Sequence, residues 1–147
     1  HRLKYRGDRE AGLELGRLMA RDAMASRRFA SVDTAIAVPL HPSKLRQRGY
    51  NQAQVLVDGM RELWPLRDPG RELLRIARTR TQTKKGRLER WANVKNAFQL
   101  TDPETLRDAH VLLVDDVVTT GATIEACTRA LSSVPGIRFS VFTCAYA

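Results

Sequence analysis

Two adjacent carboxylates followed by a threonine- and glycine-rich turn are the residues of this chain best suited to chemistry. They stand in the stretch Val111-Leu112-Leu113-Val114-Asp115-Asp116-Val117-Val118-Thr119-Thr120-Gly121-Ala122-Thr123. The apolar, β-branched run from Val111 reads as a buried strand that stops at Asp115 and Asp116. A small-residue loop and an amphipathic helix follow. Such a loop, with the first helical turn, offers free backbone N–H groups and partial positive charge, which suit a phosphate. Gly121 permits close backbone approach and a positive φ; Thr119, Thr120 and Thr123 add hydroxyl donors. Carboxylates beside a phosphate cradle would repel the phosphate, so they make sense if they accept hydrogen bonds from hydroxyls or face a magnesium ion. A ribose 5-phosphate supplies that pattern, with its phosphate in the loop and its diol on the acids. In an ideal strand Asp115 and Asp116 point to opposite faces, so both reach one sugar only if the strand ends there. The competing reading is a strand end with solvated acids and an ordinary helix cap.

The elements that must position this stretch belong to a chain of 147 residues, 43% hydrophobic, enough for one domain with a proper core. No apolar run approaches the roughly 20 residues that span a bilayer. The polar, basic N-terminus shows no signal peptide, which points to the cytoplasm. The chain starts at His1 rather than Met, as a fragment of a longer protein would. Lysine and arginine number 25 against 16 acids, a net charge of +9 that favours an anionic ligand or partner: nucleic acid, nucleotide or polyphosphate. Between Arg78 and Lys95 seven basic residues face one acid, Glu89. Cys127 and Cys144 form no C-x-x-C and read as small buried hydrophobes in a reducing compartment.

In chain order, Leu15, Leu18, Met19 and Ala23 recur at helical spacing between Ala11 and Met24. Val32 to Val38 reads as a strand stopped by Pro39. Pro39 to Gln52 reads as a constrained, cation-rich loop in which Lys44, Arg46 and Arg48 could hold a diphosphate or simply be solvated. A helix follows Gly49 or Asn51, with Ala53, Leu56, Val57, Met60, Leu63 and Trp64 on one stripe. Leu73 to Ala77 and Ala97 to Leu100 are short strands. The polar segment between them, about 79–95, reads as a mobile basic arm or lid able to close over an anion. A helix from Ala122 to about Ser132 and a strand from Ile137 to Ala145 complete the chain. Strands alternate with helices, which predicts an α/β fold with a mainly parallel sheet flanked by helices. Ligands in such sheets bind beyond the carboxyl ends of the strands, where Pro39–Lys44 and Asp115–Thr123 should meet.

The stretch around Asp115 resembles the phosphoribosyl pyrophosphate (PRPP) motif of type I phosphoribosyltransferases: an apolar run, two acids, two aliphatics, then Thr-Thr-Gly-x-Thr. Three further motifs resemble one branch of that family, the competence-associated ComF proteins. They are Leu3-Lys4-Tyr5-Arg6-Gly7-Asp8; Val38-Pro39-Leu40-His41-Pro42 with Arg48-Gly49-Tyr50-Asn51-Gln52; and Gln82 through Arg90 with Asn93 and Ala97-Phe98. The resemblance implies a single type I phosphoribosyltransferase fold over 1–147 with a flexible basic lid. By position it assigns Asp115 and Asp116 to the ribose hydroxyls as the catalytic pair. Val118, Thr119, Thr120, Gly121, Ala122 and Thr123 would wrap the 5-phosphate. Leu40, His41, Pro42, Ser43 and Lys44 would form the pyrophosphate loop, and Gln82, Lys84, Lys85, Arg87, Arg90 and Asn93 the lid. Magnesium would be held mainly by PRPP rather than by a protein cage. Lys85 departs from the family, where an apolar residue is common. The four-cysteine zinc module often found at the N-terminus of such proteins is also missing: either it was trimmed, which the start at His1 favours, or this member lacks it. Two functions follow. One is transfer of a phosphoribosyl group from PRPP to an acceptor, with release of pyrophosphate. The other is a non-catalytic competence factor that binds single-stranded DNA or DNA-uptake proteins and keeps the PRPP site as sensor or relic. In the latter, Trp91 on the basic arm and Tyr50 near Arg48 would stack on bases.

Overall fold

The computed structural model describes residues 9–69, 73–75 and 97–147. The motif at Leu3–Asp8 and the lid residues Gln82, Lys84, Lys85, Arg87, Arg90 and Asn93 lie outside the described residues. Helices α1 (Arg9–Ala25), α2 (Pro42–Arg48), α3 (Gln52–Arg61) and α4 (Ala122–Leu131) alternate with strands β1 (Thr34–Ala37), β2 (Leu73–Arg75), β3 (Phe98–Leu100), β4 (His110–Val118) and β5 (Arg138–Tyr146). Strands β1, β4 and β5 form a parallel sheet with β4 in the middle, in the register Ile36↔Leu113↔Val141. Strands β2 and β3 pair separately and antiparallel. This is the α/β architecture of a type I phosphoribosyltransferase-like fold: a parallel sheet flanked by helices.

The period-2 alternation of the two inner strands explains the layering. Ala35, Ala37, Leu112 and Val114 face one way and pack with Met19, Ala20 and Ala23 of α1 and with Ala53, Leu56, Val57 and Met60 of α3. Ile36, Val38, Val111 and Leu113 face the other way, toward Ala126, Cys127 and Leu131 of α4 and toward Leu73 and Phe98 of the β2–β3 pair. Leu112 and Leu113 are fully buried on opposite faces, each stabilising the fold by about 1.5–3 kcal/mol of transfer free energy.

The structure corrects three expectations. Pro39–Gln52 is not all loop, because Pro42–Arg48 is helical. Pro42 supplies a pre-set φ in the first turn, the His41 ring nitrogen accepts from the Ser43 N–H at 3.2 Å, and Gly49 at φ 85° ends the helix. Strand β4 does not stop at the acids: its ladder with β5 runs on through Asp115↔Thr143, Val117↔Ala145 and Val118↔Tyr146. Cys127 is buried as expected, but Cys144 is exposed, because β5 is an edge strand of the described sheet.

At the amino end of the sheet the Asp33 carboxylate accepts from the Thr34 hydroxyl, from the His110 backbone N–H at 3.2 Å and from the Arg67 guanidinium at 3.2 Å. Partial burial alone would raise its pKa. The three donors outweigh burial and hold it below the ordinary aspartate value. A folded pKa below the unfolded one contributes stability above about pH 4 that is lost as pH falls through the folded value. The Asp33→Asn chain should therefore lose less stability than the parent between about pH 5 and pH 3. Urea midpoints across that range check this; parallel pH curves would refute it.

Candidate functional site

The site is built where two connections leave the sheet on opposite sides. Strands β1 and β4 are parallel neighbours, with Ala37 paired to Val114, so both end at the same edge. The connection after β1 leads to α3, which packs on the Ala37–Val114 face. The connection after β4 leads to α4, which packs on the opposite face. Adjacent parallel strands whose helices part to opposite faces leave a crevice between their carboxyl ends, where open α/β sheets bind ligands. The two stretches singled out in the sequence thus converge. The Val38 N–H donates to the Val114 carbonyl at 2.8 Å, and the Asn51 side-chain amide donates to the Val38 carbonyl at 3.0 Å. Asn51 also caps α3 through the Ala53 N–H at 3.1 Å.

Asp115 and Asp116 sit at the head of this crevice, both half-buried. Continuing the alternation of β4, Asp115 shares the face of Leu113 and α4, and Asp116 the face of Val114 and α3. Each carboxylate is steadied by the next backbone N–H: Asp116 N–H to Asp115 Oδ1 at 3.0 Å, and Val117 N–H to Asp116 Oδ1 at 2.9 Å. On β5, opposite this pair, the Cys144 Sγ packs 3.5 Å from the Met19 sulfur. Desolvation, then the charges of Asp116 and Asp115, push its thiol up to about 11, so Cys144 stays protonated at neutral pH and is a poor nucleophile.

The proposed 5-phosphate stretch spans three kinds of structure. Val118 is the last residue of β4; Thr119, Thr120 and Gly121 form the turn; Ala122 and Thr123 open α4. Thr119 and Thr120 are exposed. Gly121 is the N-cap at φ 76° and, as glycine, offers no side-chain acceptor to the first turn. A Cβ at Gly121 would meet nothing within 4 Å, so the space above the helix start is open. The Thr120 hydroxyl approaches the Ala122 N–H only at 3.4 Å. A left-handed glycine, an N-terminus without a side-chain cap and open space together suit an anion.

The other stretch is more mixed. Leu40 and His41 precede α2, while Pro42, Ser43 and Lys44 lie in its first turn. His41 is committed to capping: its Nδ1 also lies 2.8 Å from the Ser43 hydroxyl. Lys44 and Arg46 are exposed and Arg48 is half-buried. Sequence reasoning missed the part played by Gln52, which is 1% exposed and holds the Arg48 guanidinium through Oε1 at 3.2 Å. The sequence offered a signal only in the motif Arg48-Gly49-Tyr50-Asn51-Gln52, which groups the two residues without pairing them.

Among the described residues no group of three or more metal-ligating side chains occurs, and no helix is long and apolar enough to cross a membrane. The two carboxylates of Asp115 and Asp116 are hard oxygen donors of the kind magnesium takes when most of its shell comes from phosphate and water.

A family model for the phosphoribosyl transferase domain matches residues 70–142, which include the acids and the turn. The DNA utilization protein YhgH of Salmonella typhi is 31% identical over 134 residues, covering 89% of this chain and 58% of that protein. The Competence protein F of Haemophilus influenzae is 32% identical over 115 residues, covering 78% of this chain and 50% of that protein. The chain therefore spans little more than half the length of these curated relatives.

Proposed function

Since the chain belongs to the ComF family of competence-associated, phosphoribosyltransferase-like proteins, we propose that it binds PRPP with magnesium in the β1–β4 crevice and transfers the phosphoribosyl group to an acceptor, releasing pyrophosphate. The observation that carries the reading is the pair of half-buried acids beside an open, left-handed glycine turn. The turn Thr119–Gly121 and the start of α4 take the 5-phosphate. Because β4 runs on past them, the two acids divide the work: Asp115, on the face of the turn, accepts hydrogen bonds from the ribose hydroxyls, and Asp116, on the opposite face, would face the magnesium-bearing diphosphate; both favour the positive charge that grows on the sugar as its bond to the diphosphate breaks. Magnesium, held mainly by PRPP with Asp115 and Asp116 as the nearest hard oxygen donors, would supply charge neutralisation at the diphosphate. The Leu40–Lys44 stretch lies on the diphosphate side, and the basic residues of 79–95 would add charge there. His41 uses its Nδ1 to cap α2. The reading is tested by calorimetric titration of the chain with PRPP and magnesium; heat no greater than that of magnesium with free pyrophosphate would sink it.

A second reading has specific support. The relatives carry the names DNA utilization protein and Competence protein F, and the chain carries a charge of +9. In this reading the chain binds single-stranded DNA through its basic segment, with Trp91 and Tyr50 as stacking candidates. Neutralising Lys84, Lys85, Arg87 and Arg90 together should then flatten the salt dependence of oligonucleotide binding, by about 0.7 in the log–log slope for each phosphate left without its cation. Fluorescence anisotropy at several salt concentrations checks this, and an unchanged slope would remove the segment from DNA binding.

A further inference from the structure

Between β1 and α3, next to the residue that ties α3 to the end of β1, stands a cation with no acidic partner among the described residues. Arg48 closes α2, is half-buried, and forms no ion pair with any described carboxylate. Its guanidinium instead donates from Nη1 to Gln52 Oε1 at 3.2 Å. That bond fixes the amide orientation, because a flipped Gln52 would set two donors against each other. The consequence is that Gln52 Nε2, in a residue 1% exposed at the start of α3, has no hydrogen-bond partner. A buried donor without a partner is costly, and native folds rarely leave one without a reason. Two donor groups with capacity to spare therefore stand side by side, at the N-terminus of a ten-residue helix. This end of α3 is tied to the carboxyl end of β1 by Asn51. Guanidinium, carboxamide and helix dipole all ask for the same thing, an anion.

We infer that Arg48 is an anion-binding residue for the diphosphate end of the ligand, and that Gln52 is the positioning residue that holds its guanidinium toward the crevice. The inference rests on the PRPP reading above and narrows it. Of the three cations in this stretch, exposed Lys44 and Arg46 serve as diffuse charge, and Arg48 makes the directed contact. The crevice then has a division of labour. The α4 side takes a phosphomonoester, and the α3 side takes a diphosphate oxygen through a fork that can present two parallel N–H groups.

The test compares three probes on the full chain by calorimetry with magnesium: PRPP, inorganic pyrophosphate and ribose 5-phosphate. Arg48→Gln should weaken PRPP and pyrophosphate about tenfold to a hundredfold, the effect of one hydrogen bond to a charged group, and leave ribose 5-phosphate unchanged. Gln52→Glu should weaken the same two probes by pairing with the guanidinium, again sparing ribose 5-phosphate. Thermal melts verify that both variants fold; if Gln52→Glu does not, Arg48→Gln decides alone. Equal loss for all three probes would mean a structural role and overturn the inference. So would unchanged PRPP affinity, or weakened binding of a single-stranded oligonucleotide with PRPP untouched. If the parent binds neither PRPP nor ribose 5-phosphate, the PRPP reading itself fails and this one falls with it. If it binds both normally, only the role of Arg48 is at stake.

Discussion

Replacing Asp115 and Asp116 together by asparagine is expected to weaken PRPP binding by a factor of about 100 or more while the chain stays folded. Asparagine keeps the size of aspartate and can still accept from the Asp116 and Val117 backbone N–H groups that now steady the two carboxylates. What it loses is charge. A hydrogen bond to a charged group is worth about 1.5–3 kcal/mol, so a ribose hydroxyl donating to Asp115 and magnesium-bound water donating to Asp116 would give about 3–6 kcal/mol between them. The single variants should separate. Asp115 lies on the α4 side of β4, where the proposed reading puts the 5-phosphate, and Asp116 on the α3 side, where it puts the diphosphate. Asp115→Asn should therefore weaken ribose 5-phosphate and PRPP alike, and Asp116→Asn should weaken PRPP more. Calorimetry with each ligand and far-ultraviolet circular dichroism for the fold settle it. Full-strength PRPP binding by the double variant would place the ligand away from these acids.

Much of this arrangement was legible because it depends on local chemistry. The apolar run from Val111 and the Thr-Thr-Gly turn specify a strand and an anion-ready helix start within one short stretch, and no distant partner is needed to read them. The meeting of the β1 and β4 connections followed from strand–helix alternation, because a parallel sheet sends both to one edge. Less legible was where strands end. Asp115 and Asp116 look like a terminus by burial. The β5 backbone nevertheless goes on pairing past them to Val118, because ladder hydrogen bonds do not require apolar side chains. Helix α2 was hidden by two prolines that read as loop signals, although Pro42 falls in a first turn, where its missing N–H costs nothing. The bond between Arg48 and Gln52 could not be read at all. An i, i+4 pair is expected only inside one helix, and this one bridges two helices across Gly49.

The contact between α1 and α3 was equally invisible, and it yields the second large effect. Gly16 and Gly59 lie inside their helices, where glycine costs roughly 1 kcal/mol against alanine. By that logic Gly59→Ala should stabilise the chain. The packing argues the opposite sign. A Cβ on Gly59 would collide with the Leu13 carbonyl oxygen and lie 2.9 Å from its carbonyl carbon and Cα; a Cβ on Gly16 would collide with the Leu56 carbonyl oxygen. The obstacles are backbone atoms, so no rotamer change relieves them. The helices must part, and parting draws Leu56 and Met60 away from Met19 and Ala20 in the same cluster. It also strains the bond from Arg17 Nε to Glu62 Oε2, 2.6 Å long, that joins the two helices at the surface. Overpacking of this kind costs about 1–3 kcal/mol, and more where backbone must shift. After the propensity gain, a net loss of about 2 kcal/mol is expected for Gly59→Ala, or some 5–10 °C in melting temperature for a chain of this size. Gln54→Ala, on the exposed side of α3, serves as the control and should stay within about 0.5 kcal/mol of the parent. The sign of the shift separates packing from propensity. If Gly59→Ala raises the urea midpoint, helix propensity governs this position and the close crossing of α1 over α3 does not hold in solution. If it lowers the midpoint while Gln54→Ala does not, the glycine pair sets how near α3 can lie to the sheet, and with it the place of Asn51, Gln52 and Arg48 at the crevice.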